Sequence, residues 1–308
     1  MAKAIQKGSL MTEATTQTKT EPTTHTLAVP GTTLTYDVRS NDSSTEPVLV
    51  LIGCPMGAGG FETLSSHFTD RTVVTYDPRG VERSAKDDDL GESKPEDHAD
   101  DVHTIISELG AGPVDLFASS GGAVNALALV ARYPEAVRTV VAHEPPLAAL
   151  LPDRDVALAA CEDIREVYLR SGMGAGMAKF IKIVTHKGPF TEAYRNEPEP
   201  DPTMFGLPAE DDGSRNDALL GQNMIGLTHY EPDFDALRTA STRVVIALGA
   251  DADGELASRA ASAAAERLGT TPVTFPGGHN GFMGGEYDQT GDPEAFAAKL
   301  REVLSTTS

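Results

Sequence analysis

The feature that most constrains the fold is a rhythm of short apolar runs alternating with helical patterns. The runs are Val48–Ile52 (VLVLI), Thr72–Tyr76 (TVVTY), Val114–Ala118 (VDLFA), Val137–Ala142 (VRTVVA), Arg243–Leu248 (RVVIAL) and Thr271–Phe275 (TPVTF). Each is short and largely apolar, as a strand buried on both faces should be. Between them fall helical patterns at Glu96–Leu109, Gly122–Arg132 and Glu255–Leu268, and Pro293–Leu304 follows the last. In the first, Val102, Ile105, Ile106 and Leu109 share one face, and Gly110 with Gly112-Pro113 ends it. Strand alternating with helix predicts an α/β fold, a mostly parallel central sheet with helices on both faces. Ahead of it, Thr24–Val29 and Thr32–Arg39 alternate around Pro30-Gly31 and predict a hairpin.

From Leu147 to about Arg238 the rhythm stops. Helical segments at Val156–Leu169, Met173–Thr185 and Asp217–Leu227 surround an acidic, Pro-rich span, Pro189–Pro208, expected to be a mobile surface loop. So long a stretch without structure of its own is unusual in a compact domain, so it reads as an inserted helical cap. The expected organisation is a disordered segment over 1–23, a core domain over 24–147 and 239–308, and the cap over 148–238. Apolar cap residues such as Tyr168, Met177, Met204, Phe205 and Met224 are expected mostly in the cap's own core.

Composition narrows the function classes. Twenty-five basic against 46 acidic residues give a net charge of −21. That argues against nucleic acid and anionic membranes as partners, since both need a basic footprint, and leaves a small-molecule substrate. No apolar run reaches the roughly 18 residues of a membrane span. The first 21 residues lack the apolar core of a secretory signal, so a cytoplasmic protein is expected. Two cysteines, Cys54 and Cys161, exclude a disulfide scaffold and a cysteine-rich metal site. Nothing in the composition opposes a homo-oligomer.

The chemistry concentrates in Val114–Ala123, VDLFASSGGA. A strand runs directly into Ala118-Ser119-Ser120-Gly121-Gly122, and a helix follows. Such a turn lifts one side chain above the sheet, and the residues two before and two after it must be small. Ala118 and Gly122 meet that demand around Ser120. The neighbouring frame would put Phe117 at the crowded position, so Ser120 is the candidate nucleophile. The helix N-terminus behind it offers backbone N–H groups to an anion.

With this elbow the chain resembles the α/β-hydrolase family, from about Thr24 to Leu304. Tyr76-Asp77-Pro78-Arg79-Gly80 with Ser84 looks like the family's Y-D-x-R-G-x-G-x-S segment. Gly53-Cys54-Pro55-Met56-Gly57 looks like its oxyanion loop, with Ile52 where His is usual and Cys54 where the second Gly stands. The resemblance implies an oxyanion hole from the backbone N–H groups of Cys54 and Gly121, and a base in the loop after the last strand, where His279 stands in Phe275–Phe282 (FPGGHNGF). It leaves the acid open. Asp251 and Asp253 lie in the loop after Arg243–Leu248, the family's usual place. Glu144 follows Val137–Ala142, where some relatives carry theirs. His25, His67, His98, His103, His186 and His229 lack such context and read as surface or core residues. Asp77 and Arg79 read as a structural ion pair or loop brace, and the acidic run Asp87-Asp88-Asp89 as a solvated loop.

The expected function is a cofactor-free serine hydrolase that cleaves a small, largely apolar ester, lactone or amide through an acyl-enzyme. The same fold also hosts carbon–carbon bond hydrolases, cofactor-free haloperoxidases, lyases and non-catalytic binding proteins.

Overall fold

The computed structural model describes residues 21–87 and 91–306. Eight strands form one sheet: β1 (Thr23–Val29), β2 (Thr32–Arg39), β3 (Leu49–Ile52), β4 (Val73–Asp77), β5 (Val114–Ser119), β6 (Val137–His143), β7 (Arg243–Gly249) and β8 (Val273–Phe275). Their order is β1-β2-β4-β3-β5-β6-β7-β8. The β1–β2 hairpin and the β2–β4 pair are antiparallel, and every pair from β4 onward is parallel. The helices are α1 (Glu62–Ser66), α2 (Pro95–Glu108), α3 (Gly121–Arg132), α4 (Arg154–Val184), α5 (Glu192–Arg195), α6 (Met224–Thr228), α7 (Phe234–Thr239), α8 (Leu256–Leu268) and α9 (Pro293–Ser305).

The alternation of side chains along each strand splits the core in two. Val50 and Ile52 of β3, and Leu116 and Ala118 of β5, face a large cluster shared with α2, α3 and α8. Leu49, Leu51 and Phe117 face a second cluster, with Phe61, Phe275, Phe282 and Phe296 packed under α9. Fully buried strands explain why these segments are apolar throughout rather than alternating.

Between β6 and β7 the chain is helical. The two helical patterns flanking residue 172 run together as α4, broken where Gly172 adopts φ 83°. Ala157, Cys161, Ile164 and Tyr168 of α4, with Met224 and Leu227 of α6, join the same buried cluster as the sheet's α2–α3 face. Met204 and Phe205, expected in a core, are instead 79% and 41% exposed. The Pro-rich span is also anchored at its start: Phe190 and Tyr194 are buried, and the Phe190 N–H donates to Asp153 Oδ2 at 2.6 Å. Proline and acidic content marked a loop there, but two aromatics are enough to hold one end down.

Most of the segment expected to be disordered, and Asp88 and Asp89 of the acidic run, lie outside the described residues; Thr23, at the edge of that segment, already belongs to β1. Among the described residues, no helix is long and apolar enough to cross a membrane.

Candidate active site

Ser120 sits between β5 and α3 with φ 56° and ψ −128°, the strained turn expected of an elbow. A non-glycine residue held there costs about 1–3 kcal/mol, which the surrounding packing must offset. That packing is visible. A Cβ on Gly122 would lie 2.6 Å from Ile52 O and 2.8 Å from Gly53 Cα, and one on Gly121 would lie 2.5 Å from Cys54 O. The exit of β3 therefore crosses the start of α3 so closely that only glycine fits. The Ser120 N–H donates to His143 O at 2.9 Å, which pins the turn to β6. The two serines are clearly separated. Ser119 is buried, its Oγ 3.4 Å from His143 Nδ1, whereas Ser120 is half-exposed.

His279 lies in the loop after β8. That loop is braced by the exit of β7, where Ala250 N–H donates to Phe275 O (2.9 Å) and Asp251 N–H donates to Gly277 O (3.0 Å). His279 Nδ1 is 2.6 Å from Glu144 Oε2. Glu144 is fully buried, and its other oxygen accepts the Gly249 N–H at 2.8 Å. It too has a left-handed backbone, φ 49°, held by its N–H to Ala247 O at 2.9 Å. Burial by itself raises the Glu144 pKa. The His279 hydrogen bond, the neighbouring imidazoles and the Gly249 N–H outweigh that, so the group stays below the ordinary carboxylate range.

The structure thus brings Glu144 to His279, and among the described residues neither the Asp251 nor the Asp253 side chain is hydrogen-bonded to it. Both aspartates are exposed, and Asp251 serves through its main chain. Spacing along the chain could not choose between them, because the choice depends on which loop turns inward over the carboxyl edge of the sheet. Among the described residues no hydrogen bond joins Ser120 Oγ to His279. Catalytic hydrogen bonds are often made only with substrate in place.

Cys54 follows β3, and its carbonyl oxygen touches the start of α3, so the Cys54 and Gly121 backbones lie side by side. Neither N–H finds an acceptor among the described residues. The thiol points into the protein, and burial pushes it up to about 12, so it is not a thiolate near neutral pH.

Asp77 and Arg79 do not pair with each other. Asp77, fully buried, accepts the Ala58 N–H at 2.8 Å and Arg83 Nε at 2.6 Å, tying the exit of β4 to the loop after Cys54. Arg79 grips Asp101 of α2 with two bonds of 2.6 and 2.7 Å.

Sequence reasoning passed over His143. It is buried among Phe117, Phe275, Phe282 and Phe296, with its ring 6.2 Å from that of His279. Burial lowers its pKa to about 4, against the opposing pull of Glu144. It is a neutral ring beneath the site. The only signal in the sequence was its place at the end of a strand, next to Glu144.

A strained serine between strand and helix, and a histidine held by a buried carboxylate at the same sheet edge, define a hydrolase of the α/β-hydrolase class. The chain belongs to that family: the model of the alpha/beta hydrolase fold matches residues 46–255. Among curated proteins it is 31% identical to the uncharacterized hydrolase YraK of Bacillus subtilis over 291 residues, 91% of this chain and 95% of that one. Among solved structures it resembles carboxylesterase CesB (YbfK) from Bacillus subtilis, with a TM-score of 0.64, 14% identity and coverage of 94% and 93%. It also resembles the enol-lactonase from Burkholderia xenovorans LB400, with a TM-score of 0.62, 17% identity and coverage of 92% and 100%. At these identities the solved structures speak for the fold alone.

Proposed function

We propose that the protein is a serine hydrolase of small esters or lactones, with Ser120 as nucleophile, His279 as general base and Glu144 as the acid that orients it. The observation that carries this reading is the 2.6 Å contact between His279 Nδ1 and Glu144 Oε2 at the rim where Ser120 is raised. With its Nδ1–H held by Glu144, the imidazole presents Nε2 as a bare acceptor. It takes the Ser120 proton as Oγ attacks the carbonyl carbon, then returns that proton to the leaving oxygen. Water, activated the same way, breaks the acyl-enzyme and regenerates Ser120. The Cys54 and Gly121 N–H groups stabilise the tetrahedral oxyanion, each worth about 3–4 kcal/mol in such sites. The helical insertion acts as the cap, with Leu227 packed against the elbow at Gly121. Names such as carboxylesterase and enol-lactonase among the neighbours agree with an ester or lactone substrate.

A fluorophosphonate probe tests the reading. Covalent labelling of the wild type, lost in Ser120→Ala, together with release of p-nitrophenol from short-chain esters, is the expected result. An unlabelled wild type that shows no ester or lactone turnover refutes it.

A further inference from the structure

Two buried polar side chains lie beneath the site, and the mechanism above uses neither. Ser119 ends β5 and His143 ends β6, and the two are partners in the parallel register of those strands. Each stands one residue before a member of the proposed triad, Ser120 on one strand and Glu144 on the next. Both of those members turn sharply, with φ 56° at Ser120 and 49° at Glu144. A non-glycine residue so placed is strained and persists only where its surroundings hold it.

Alternation along the strands puts Ser119 on the face of Phe117 and His143 on the face of Val141, the apolar layer packed under α9. The His143 ring packs there among Phe117, Phe275, Phe282 and Phe296, with centroids 5.4–6.4 Å away. Ser119 is 2% exposed and His143 fully buried. Burying a polar group costs free energy unless it is hydrogen-bonded. Among the described residues, Ser119 Oγ and His143 Nδ1 have no hydrogen-bond partner but each other, at 3.4 Å, and His143 Nε2 has none. An apolar pair would fill the layer without that cost. It would not fix the two strand ends against each other, because dispersion contacts tolerate sliding and a hydrogen bond has a direction.

Three links run from His143 to the triad. Its carbonyl oxygen accepts the Ser120 N–H at 2.9 Å. Its register partner on the other side, Ala247 of β7, accepts the N–H of Glu144 at 2.9 Å. Its ring centre lies 6.2 Å from that of His279, with the planes tilted by 33°. Burial holds the ring neutral, with its pKa down to about 4. It therefore adds no charge against the imidazolium that His279 becomes on taking the Ser120 proton.

We propose that Ser119 and His143 form a positioning pair, which locks the ends of β5 and β6 together and so fixes Ser120 against Glu144 and His279. The proposal rests on the Ser120 reading above, and one arm of its test does not need that reading. Ser119→Ala, His143→Leu, their double variant and His143→Asn are compared with wild type, with thermal unfolding giving the folded fraction. Asn returns a polar atom near the place of Nδ1, and Leu does not. A misplacement of about 1 Å costs about 10²-fold in rate, so kcat of His143→Leu on p-nitrophenyl acetate should fall about 10–100-fold with KM within about twofold. The rate of fluorophosphonate labelling should fall in parallel. Ser119→Ala should lose about three- to tenfold, and the double variant no more than His143→Leu, since one contact is removed in each. His143→Asn should recover to within about threefold of wild type. In the second arm, hydrogen exchange by NMR follows the Ser120 and Glu144 amides. Both should exchange at least about tenfold faster in Ser119→Ala and His143→Leu than global stability accounts for, and recover in His143→Asn.

Folded His143→Leu with kcat and labelling within threefold of wild type, or His143→Asn falling as far as His143→Leu, overturns the pair. If His143→Leu does not fold, Ser119→Ala decides: wild-type labelling together with wild-type exchange at both amides overturns it. A wild type that neither labels nor turns over an ester refutes the hydrolase reading instead. The exchange arm then decides the pair alone, and unchanged exchange at both amides overturns it.

Discussion

Replacing Glu144 by Gln is the sharpest test of the site, because the geometry predicts how it fails. The carboxylate has two oxygens and two donors: Gly249 N–H on Oε1 at 2.8 Å and His279 on Oε2 at 2.6 Å. The Gly249 N–H is main chain and cannot reverse its polarity. The single oxygen of Gln must therefore face Gly249, which turns its NH2 toward His279. Nδ1 can then serve only as acceptor, and the proton moves to Nε2. That tautomer cannot take the Ser120 proton. The equivalent acid-to-amide change in other serine triads lowers kcat about 10⁴-fold, or about 5 kcal/mol of barrier. We expect the same scale for Glu144→Gln with p-nitrophenyl acetate, with thermal unfolding confirming that the variant is folded. Asp251→Asn should change kcat by less than about threefold, because that side chain is exposed and its role uses the backbone. Glu144→Gln retaining kcat within tenfold of wild type, or Asp251→Asn falling as far, would refute the reasoning.

Other expectations concern stability. His98 and His143 are buried and neutral, each with its pKa lowered from 6.5 to about 4. The unfolded chain binds protons that the folded one refuses, so stability is full above pH 6.5 and is lost as pH falls toward 4, by up to about 1.4 kcal/mol per pH unit for each ring. Urea unfolding at pH 7.5 and 5.0 measures this, and His143→Asn should flatten the slope by about one proton; an unchanged slope counts against a neutral His143. Gly122→Ala drives a methyl into Ile52 O and Gly53 Cα and should cost at least about 1–3 kcal/mol in denaturant unfolding. Wild-type stability in that variant would mean β3 does not press on the elbow. Arg79→Met strands the buried Asp101 carboxylate and should destabilise by about 3–5 kcal/mol, while kcat of the folded fraction stays near wild type. Loss of kcat without loss of stability would instead give Arg79 a part in the chemistry.

Much of this was legible in the chain itself. Strand positions followed from local pattern: β5, β6 and β7 begin where the apolar runs begin, since a doubly buried strand needs a largely apolar run whatever surrounds it. Ser120 was legible for a similar reason. Crowding at an elbow acts over two residues either way, a distance sequence can read. What lay beyond reach was everything set by loops meeting across the sheet. Glu144 and Asp251 stand at comparable strand ends, and only the inward turn of Glu144, pinned by Ala247 and Gly249, decides which carboxylate meets His279. The His98–Asn223 contact of 2.8 Å likewise joins α2 to the segment before α6, and His98 reads by itself as an ordinary helix residue. Local propensity and pattern are encoded a few residues at a time, so the sequence by itself determined the strands, the longer helices and the sharp turn that carries Ser120. The carboxylate partner of His279 depends on contacts between residues far apart in the chain, and only the packed tertiary structure decides it.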